Sequence, residues 1–238
     1  MMEREKEPTG RSSYLTRLAE VAHTHIFDVD HTLTRHSTGR RFAQAGVKMG
    51  LFARRHLLSM PWFYLRYRLG HLRLEDVTRE IRVLRGLTRD ELAEIALSAW
   101  RTHIMRDLYG EATRYIRSLV DQGRRVVLAS TTFDIILEPL ARELGVHDTI
   151  SSVLQFERDR ATGWLLGGPC YAEEKARRID VFLGDRGIDP ARCAFYSDSF
   201  HDLPSFNLVA FPVPVHPDAL LRTRAVAAGW PVVHWRQR

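Results

Sequence analysis

The hydrophobic and polar positions divide the chain into three stretches. A continuous apolar run, "HIFDV" at 25–29, is typical of a short buried strand. Residues from about 40 to 122 carry apolar positions at helical spacing with few β-branched clusters, which predicts four or five helices. From Gly123 onwards, strand-like and helix-like stretches alternate to the C-terminus. The helical stretch therefore separates the first strand from the rest of an alternating fold.

Within the helical stretch, local signals fix some boundaries. The run Thr88–Glu91, "TRDE", fits a capping box that opens a helix through about Arg106. Gly86 is a suitable residue to end the preceding helix, and Pro61 is suited to begin another.

The alternating stretch predicts a parallel sheet. Its strands are "RRVVLAS" ending at Ser130, "TISSVLQFE" at 149–157, "CAFYS" at 193–197 and "VAFPV" at 209–213, with "WLLGG" forming a hairpin with the second of these. Helices between the strands imply right-handed crossovers. The predicted fold class is α/β, a Rossmann-like, doubly wound and mostly parallel sheet with an inserted α-helical cap.

Polar residues follow the predicted strands at the edge where such sheets bind ligands. Asp28 ends the first strand, Ser130 ends the second, and Asp198 follows "CAFYS". Two carboxylates as close as Asp28 and Asp30 disfavour each other's ionisation unless a cation or a hydrogen-bonded turn stabilises them. A helix cap or an Asx turn is the plain alternative. A calcium loop is excluded, because threonine and leucine replace the third ligand and the glycine.

Four motifs in order resemble the haloacid dehalogenase superfamily of phosphatases. They are "FDVDHT" at 27–32, Ser130 in "VVLASTTFD", Lys175 in "CYAEEKARR", and Asp198 and Asp202 in "FYSDSFHDLPSF". The resemblance runs from about residue 22 to the C-terminus and is nearest to subfamily IB, which is phosphoserine phosphatase-like and histidinol-phosphate phosphatase-like. It implies an N-terminal extension at 1–21, a core at 22–35 and 111–238, and a cap at 36–110.

The same resemblance implies a Mg²⁺-dependent phosphomonoesterase that works through an aspartyl-phosphate. Asp28 would be the nucleophile, Asp30 the general acid and base, and Lys175 the cation that stabilises the phosphoryl group. Thr32, Ser130, Thr131 and His201 would bind the substrate, and the metal would be held by Asp28, Asp30, Asp198 and Asp202. On residue type alone, Ser130 is better explained as a structural serine, whereas His201 is equally well explained as an exposed loop histidine.

The chain departs from the family pattern at three places. Phosphoserine-phosphatase-like members commonly have Gly-Gly after the second-motif serine, where this chain has Thr131 and Thr132. His201 replaces an asparagine, and Ser37 stands where a glutamate usually binds the substrate ammonium. With Arg35, Arg40 and Arg41 beside Ser37, we expect a cationic substrate head to be repelled, which ranks phosphoserine below an anionic or neutral metabolite.

Composition and charge bear on the cellular location and the partners of the protein. The formal charge is +6 and almost all of the excess is arginine, since lysine occurs only at positions 6, 48 and 175. Two cysteines give no disulfide framework, the N-terminus lacks a secretory apolar stretch, and no run approaches the roughly 20 residues that span a bilayer. These features predict a cytoplasmic protein, a monomer or a homodimer, without a specific nucleic-acid partner.

One segment keeps a membrane alternative open. Nine basic residues and no acidic one lie between Arg35 and Leu74, and "MPWFYLRYRLG" at 60–70 interleaves aromatics with arginines. Such a segment suits contact with anionic lipid and a lipid phosphate or lysophospholipid-type substrate. Aromatic packing between cap helices, with the arginines solvated, is the simpler explanation and is preferred. A further alternative is a non-catalytic anion- or membrane-binding protein on the same fold.

Overall fold

A six-stranded sheet forms the centre of the computed structural model, which describes residues 10–55 and 81–237. The strands are β1 (Thr24–Phe27), β2 (Arg125–Phe133), β3 (Asp148–Glu157), β4 (Arg160–Leu166), β5 (Cys193–Ser197) and β6 (Phe211–Pro214). Their order is β4-β3-β2-β1-β5-β6, and all neighbours pair in parallel except β3 and β4. The predicted fold class and the predicted hairpin are confirmed.

Helices flank the sheet and fill the inserted stretch. Their bounds are Gly10–Val21, Thr38–Lys48, Arg89–Ala99, Met105–Asp107, Gly110–Asp121, Asp134–Leu144, Glu173–Asp185, Leu203–Phe206 and Ala219–Ala228. Short 3-10 helices occupy Arg82–Leu84, Pro190–Arg192 and Phe200–Asp202. In the part of the chain that is described, no helix has the length and apolar character needed to cross a bilayer.

The predicted helix after Thr88 is present, and its capping box is complete. The Thr88 hydroxyl accepts from the Glu91 N–H at 3.1 Å, and the Glu91 carboxylate accepts from the Thr88 N–H at 2.7 Å. The helix passes through a π-helical turn at Trp100–Ile104 before it ends at Asp107. The predictions on Pro61 and on segment 60–70 lie outside the described residues.

Strand β2 runs further than predicted. We expected it to end at Ser130, but it continues to Phe133. Its regular pairing with β3 extends to Ala129 and resumes at Phe133 after a register shift. The three residues between them, Ser130–Thr132, stay extended but bulge out of the regular pairing. They lie beside the cavity described below.

One apolar cluster joins the sheet to the helices on one side. It includes Leu15 and Leu18 of the N-terminal helix, Phe27 of β1, Leu92 of the inserted stretch and Ile116. Strand order reverses at β1, whose two neighbours β2 and β5 lie on opposite sides. A crevice at the carboxyl ends of β1 and β5 follows from this topology. The domain boundaries given above stay a prediction.

Candidate active site

A cavity of about 590 Å³ opens at that edge of the sheet and is lined by Asp28 and Asp198, among others. Asp28 follows β1 directly, and its N–H donates to the Tyr196 carbonyl of β5 at 2.8 Å. This backbone bond continues the pairing of β1 with β5 by one residue. Asp28 is only 5% exposed, whereas Asp198 is half-buried at the same cavity.

Lys175 joins the first and last predicted motifs. Its Nζ is fully buried and donates to Asp28 Oδ1 at 2.9 Å and to Asp202 Oδ2 at 2.8 Å. The Ser197 hydroxyl also donates to Asp202 Oδ2, at 2.6 Å. The helix Glu173–Asp185 presents Lys175 in its first turn, on the face that it buries against the sheet. The predicted meeting of Lys175 with the carboxylates is therefore present in the structure.

Burial and pairing act in opposite directions on these groups. Burial raises the pKa of Asp28 above its usual range, although the charge and hydrogen bond of Lys175 lower it. Burial lowers the pKa of Lys175, but the charges of Asp202 and Asp28 outweigh it and hold that pKa above its usual value. A charged lysine between two carboxylates leaves the trio one negative charge in excess, which favours the approach of a cation.

The Thr32 hydroxyl is hydrogen-bonded within the protein. It is fully buried and does not line the cavity. Its hydroxyl donates to Asp28 Oδ2 at 3.1 Å and accepts from the Asp198 backbone N–H at 3.0 Å. Its donor and one of its acceptor positions are therefore used within the protein, and the expectation that Thr32 hydrogen-bonds the substrate stays a prediction. Thr32 positions the nucleophile candidate and the loop after β5.

Asp30 lines the cavity and is held by the start of the next helix. Its Oδ1 accepts from the Thr38 N–H at 2.9 Å and from the Thr38 hydroxyl at 2.7 Å. Between Asp28 and Thr32 the chain turns sharply, and His31 adopts a left-handed backbone with φ of 63°. Such a backbone is costly for a residue other than glycine. The turn directs both Asp28 and Asp30 to one cavity.

The bulge of β2 supplies hydroxyl groups to the cavity wall. Ser130 is 1% exposed, and its Oγ accepts from the Thr132 N–H at 3.2 Å. The Thr131 hydroxyl is buried with no hydrogen-bond partner among the described residues. His201 also lines the cavity, and its ring contacts Tyr171 with centroids 5.5 Å apart. A buried donor without a partner is what an entering oxyanion needs.

The four predicted metal ligands do not form one preassembled cluster. Among residues 10–55 and 81–237, no group of three or more histidine, cysteine, aspartate or glutamate side chains is arranged to hold a metal. Asp202 is bound by Lys175 and Ser197, and one Asp30 oxygen is bound by Thr38. Asp28, Asp30 and Asp198 line the cavity, although Asp28 is itself bound by Lys175 and Thr32. Their oxygen donors suit Mg²⁺ with waters and substrate oxygens. The metal assignment stays a prediction.

The arginines beside Ser37 do not support the predicted repulsion of a cationic head. Ser37 lines the cavity and caps the helix Thr38–Lys48. Arg41 is drawn to Asp107, with Nε 2.6 Å from Oδ2, and an Arg35 nitrogen lies 3.7 Å from the same carboxylate. Neither they nor Arg40 line the cavity. The low rank given to phosphoserine has therefore lost its basis.

Three residues near the site escaped the sequence analysis. Ser197 and Thr38 anchor Asp202 and Asp30, and nothing in their local pattern marks them. Asp218 holds the loop after β5: its carboxylate accepts from the Phe200 N–H at 2.8 Å, and its own N–H donates to the Asp198 carbonyl at 2.9 Å. Its position before the helix Ala219–Ala228 is an N-cap signal, which predicts the cap but not the loop contact.

The family of haloacid dehalogenase-like hydrolases matches residues 26–207 of the chain. This match covers most of the core, the inserted stretch and all four motifs. The chain belongs to the haloacid dehalogenase-like hydrolases, and it is a hydrolase of the phosphatase type.

Individual relatives agree with this class. A histidinol-phosphatase of Neisseria meningitidis is 30% identical over 89% of this chain and 98% of its own length. The phosphoserine phosphatase SerB1 of Mycobacterium tuberculosis is 27% identical over 89% of this chain and 70% of its own. A Bordetella pertussis protein of unknown function superposes with a TM-score of 0.80 at 26% identity, covering 89% of this chain and 98% of that one.

Proposed function

We propose that this chain is a Mg²⁺-dependent phosphomonoesterase that acts on a small phosphorylated metabolite through an aspartyl-phosphate on Asp28. The observation that carries the proposal is the buried contact of Lys175 with both Asp28 and Asp202. A phosphate monoester is dianionic, so an attacking carboxylate is repelled unless fixed positive charge is already at the site. Lys175 supplies such charge beside the attacking oxygen.

The residues suit the chemistry in two half-reactions. An Asp28 oxygen attacks phosphorus, the bond from phosphorus to the alcohol oxygen breaks, and Asp30 gives that oxygen a proton. Asp30 then takes a proton from water, which attacks the same phosphorus and releases inorganic phosphate and free Asp28. Thr131 and Ser130 would donate hydrogen bonds to the phosphoryl oxygens. Thr32 would keep Asp28 oriented.

Phosphatases of this family generally use Mg²⁺. In this chain Asp28, Asp198 and the Asp30 carbonyl would hold the ion. Asp202 would not touch the ion directly and would orient Lys175 through their hydrogen bond. The bound ion would supply positive charge to neutralise the phosphate oxygens during transfer. The oxygen-only donors at the cavity support this assignment.

The names of the relatives indicate phosphoserine and histidinol phosphate as the first substrates to test. The lipid-phosphate alternative was based on segment 60–70, which lies outside the described residues. A non-catalytic role is disfavoured, because Asp28, Lys175 and Asp202 are in contact and Asp30 faces the same cavity.

The test is a panel of phosphorylated metabolites assayed for phosphate release with Mg²⁺, using the native chain and Asp28→Asn. Asn is close to Asp in size, so the variant removes the nucleophilic charge with little change in packing. We expect release by the native chain and a loss of at least about 1000-fold in the variant, the scale on which essential nucleophiles act. Equal release by both proteins would refute the assignment of Asp28.

A further inference from the structure

The wall of the active-site cavity contains a large apolar surface that the chemistry at phosphorus does not use. Its large apolar lining residues include Phe42, Phe52, Ile81, Leu84, Phe133 and Leu165. The proposed phosphate chemistry needs only Lys175 and residues in or directly after β1, β2 and β5. Four of the apolar residues, Phe42, Phe52, Ile81 and Leu84, are only 2–5% exposed. The parts of the apolar side chains that reach the cavity are available to contact the alcohol that the phosphate is attached to.

The position of Phe52 shows how far this surface reaches from the reacting groups. The helix Thr38–Lys48 begins at the residue that binds Asp30, and Phe42 lies one turn further along it. The Phe52 ring lies against Gly46, eight residues from Thr38 and so about 12 Å along the helix axis. The ring centroids of Phe42 and Phe52 are 5.8 Å apart, so the two rings form one continuous surface. An alcohol much longer than serine is needed to cover it.

The carboxylates among the described lining residues belong to the part of the cavity where the phosphate would react, not to the apolar part. These four carboxylates are Asp28, Asp30, Asp198 and Asp218. The first three face the phosphate chemistry, and the Asp218 carboxylate accepts from two backbone N–H groups, those of Phe200 and Leu221. Among the described lining residues, no carboxylate lies with the apolar group to bind a substrate ammonium.

We infer that the preferred substrate is the phosphate monoester of an alcohol with an apolar body, alkyl or aryl, seated on the surface formed by Phe42, Phe52, Leu84 and Leu165. This inference rests on the proposed function and specifies its substrate class. Each buried methylene of the alcohol contributes about 0.8 kcal/mol, which corresponds to about fourfold in kcat/KM. An amino-acid alcohol gains less, because its charged ammonium loses water without finding a carboxylate among the described apolar lining residues.

The test is the kcat/KM of the native chain for n-alkyl phosphates from ethyl to hexyl, for phenyl phosphate, and for phosphoserine and histidinol phosphate, all with Mg²⁺. We expect kcat/KM to rise about fourfold per methylene and to exceed that of both amino-alcohol phosphates by the hexyl ester. Phenyl phosphate exceeding hexyl phosphate would assign an aryl alcohol; the reverse would assign an alkyl alcohol. Both outcomes support the inference.

A matched pair of variants connects the effect to the cavity wall. Leu165 is half-buried at the cavity, whereas its neighbour Leu166 is 52% exposed on the opposite face of β4. We expect Leu165→Gln to reduce the gain per methylene to below twofold and Leu166→Gln to leave it near fourfold. Leu166 does not line the cavity, so Leu166→Gln should hydrolyse every ester at the native rate. Circular dichroism and the Tm of both variants show that both fold.

Two negative results are distinguishable. Equal kcat/KM for ethyl and hexyl phosphate, with release abolished by Asp28→Asn, would overturn this inference and leave the proposed function intact. An unchanged gain per methylene in Leu165→Gln would do the same. Release from none of the esters would overturn the proposed function and this inference together.

Discussion

At the scale of single residues, the site depends on groups whose hydrogen bonds are already committed. Lys175, Asp28 and Asp202 form a buried trio, and Thr32 links Asp28 to the backbone of Asp198. Buried polar groups are costly unless they are paired, and each of these has a partner. Asp28, the proposed nucleophile, is therefore oriented before any substrate arrives, and we propose that Thr32 contributes to this orientation.

Replacing Thr32 with valine should lower kcat with little effect on KM. Valine keeps the shape but removes the donor to Asp28 and the acceptor of the Asp198 N–H. The loss of a buried hydrogen bond, about 1–3 kcal/mol, corresponds to about 5- to 150-fold in rate. Steady-state kinetics measure it, with Thr32→Ser expected to retain most of the activity.

Thr162→Val is the control, because its hydroxyl donates to the Gln155 carbonyl in the hairpin at 3.2 Å, away from the site. A kcat for Thr32→Val within twofold of the native value would contradict the positioning role.

His25, fully buried in β1, should make the fold sensitive to acid. Its Nε2 lies 3.2 Å from the Ala22 carbonyl and its Nδ1 lies 2.9 Å from the Tyr196 hydroxyl. Burial lowers the pKa of His25 to about 4 from 6.5, so the unfolded chain takes up this proton first as pH falls. The stabilisation is complete above about pH 6.5 and is lost as pH falls toward 4, reaching a loss of about 2 kcal/mol at pH 5.

Denaturant unfolding at pH 7 and pH 5 measures this loss. His25→Gln, which has no titrating group there, should lose less free energy of unfolding between the two pH values than the native chain. His147→Gln, at an exposed position, is the control. An identical loss in His25→Gln and the native chain would exclude His25 as the source.

At the scale of elements, the inserted stretch is tied to the sheet by backbone hydrogen bonds. The Gly86 N–H donates to the Ala161 carbonyl at 2.8 Å, and the Ala161 N–H donates to the Leu87 carbonyl at 2.9 Å. These bonds attach the segment before the capped helix to β4, the antiparallel edge strand. The hairpin of β3 and β4 therefore positions both Leu165 and the segment that carries Leu84 at the cavity.

Gly46→Ala should destabilise the protein, although alanine is the better helix former. A Cβ at Gly46 would lie 2.2 Å from a Phe52 ring carbon, so the ring must move out of a packed site. Overpacking of this kind costs about 1–3 kcal/mol, more than the roughly 0.5–1 kcal/mol that alanine gains over glycine in a helix.

Thermal unfolding measures the effect of Gly46→Ala. Gly184→Ala is the matched control, because an added Cβ there meets nothing within 4 Å and the same helical gain should raise the Tm. A Tm that rises equally in both variants would show that Phe52 does not pack against Gly46 as described.

At the scale of the whole molecule, the sheet order decides where the chemistry occurs. The order reverses at β1, so the ends of β1 and β5 open a crevice into which Asp28 and Asp198 project. The formal charge of +6 adds a long-range attraction for anionic substrates that weakens as salt is added. Topology therefore supplies the position of the site, and net charge assists its encounter with phosphates.

Removing Mg²⁺ with EDTA should abolish phosphate release without unfolding the protein. Lys175 and Thr32 hold Asp28, and Asp218 holds the loop of Asp198, so the fold does not depend on the ion. Activity should return on addition of excess Mg²⁺, while circular dichroism and the Tm change little. Full activity in EDTA, or loss of the folded signal, would contradict the assignment.

The sequence by itself determined the features that local patterns encode. An apolar run followed by Asp28 predicts a strand end, "TRDE" predicts a capped helix, and alternating strands and helices predict the doubly wound sheet. These succeed because periodicity and capping act over a few residues. The strand end at Ser130 was wrong because a bulge depends on the pairing with β3, which no local pattern contains.

Only the tertiary structure decided which side chains meet. Lys175 contacts Asp28 across 147 positions of sequence, and Thr32 contacts Asp198 across 166. Arg41 pairs with Asp107 and does not line the cavity. Phe52 lines the cavity and packs against Gly46. Such contacts depend on register, crossover and packing over the whole chain, because each side chain takes the partner that the assembled fold places within reach.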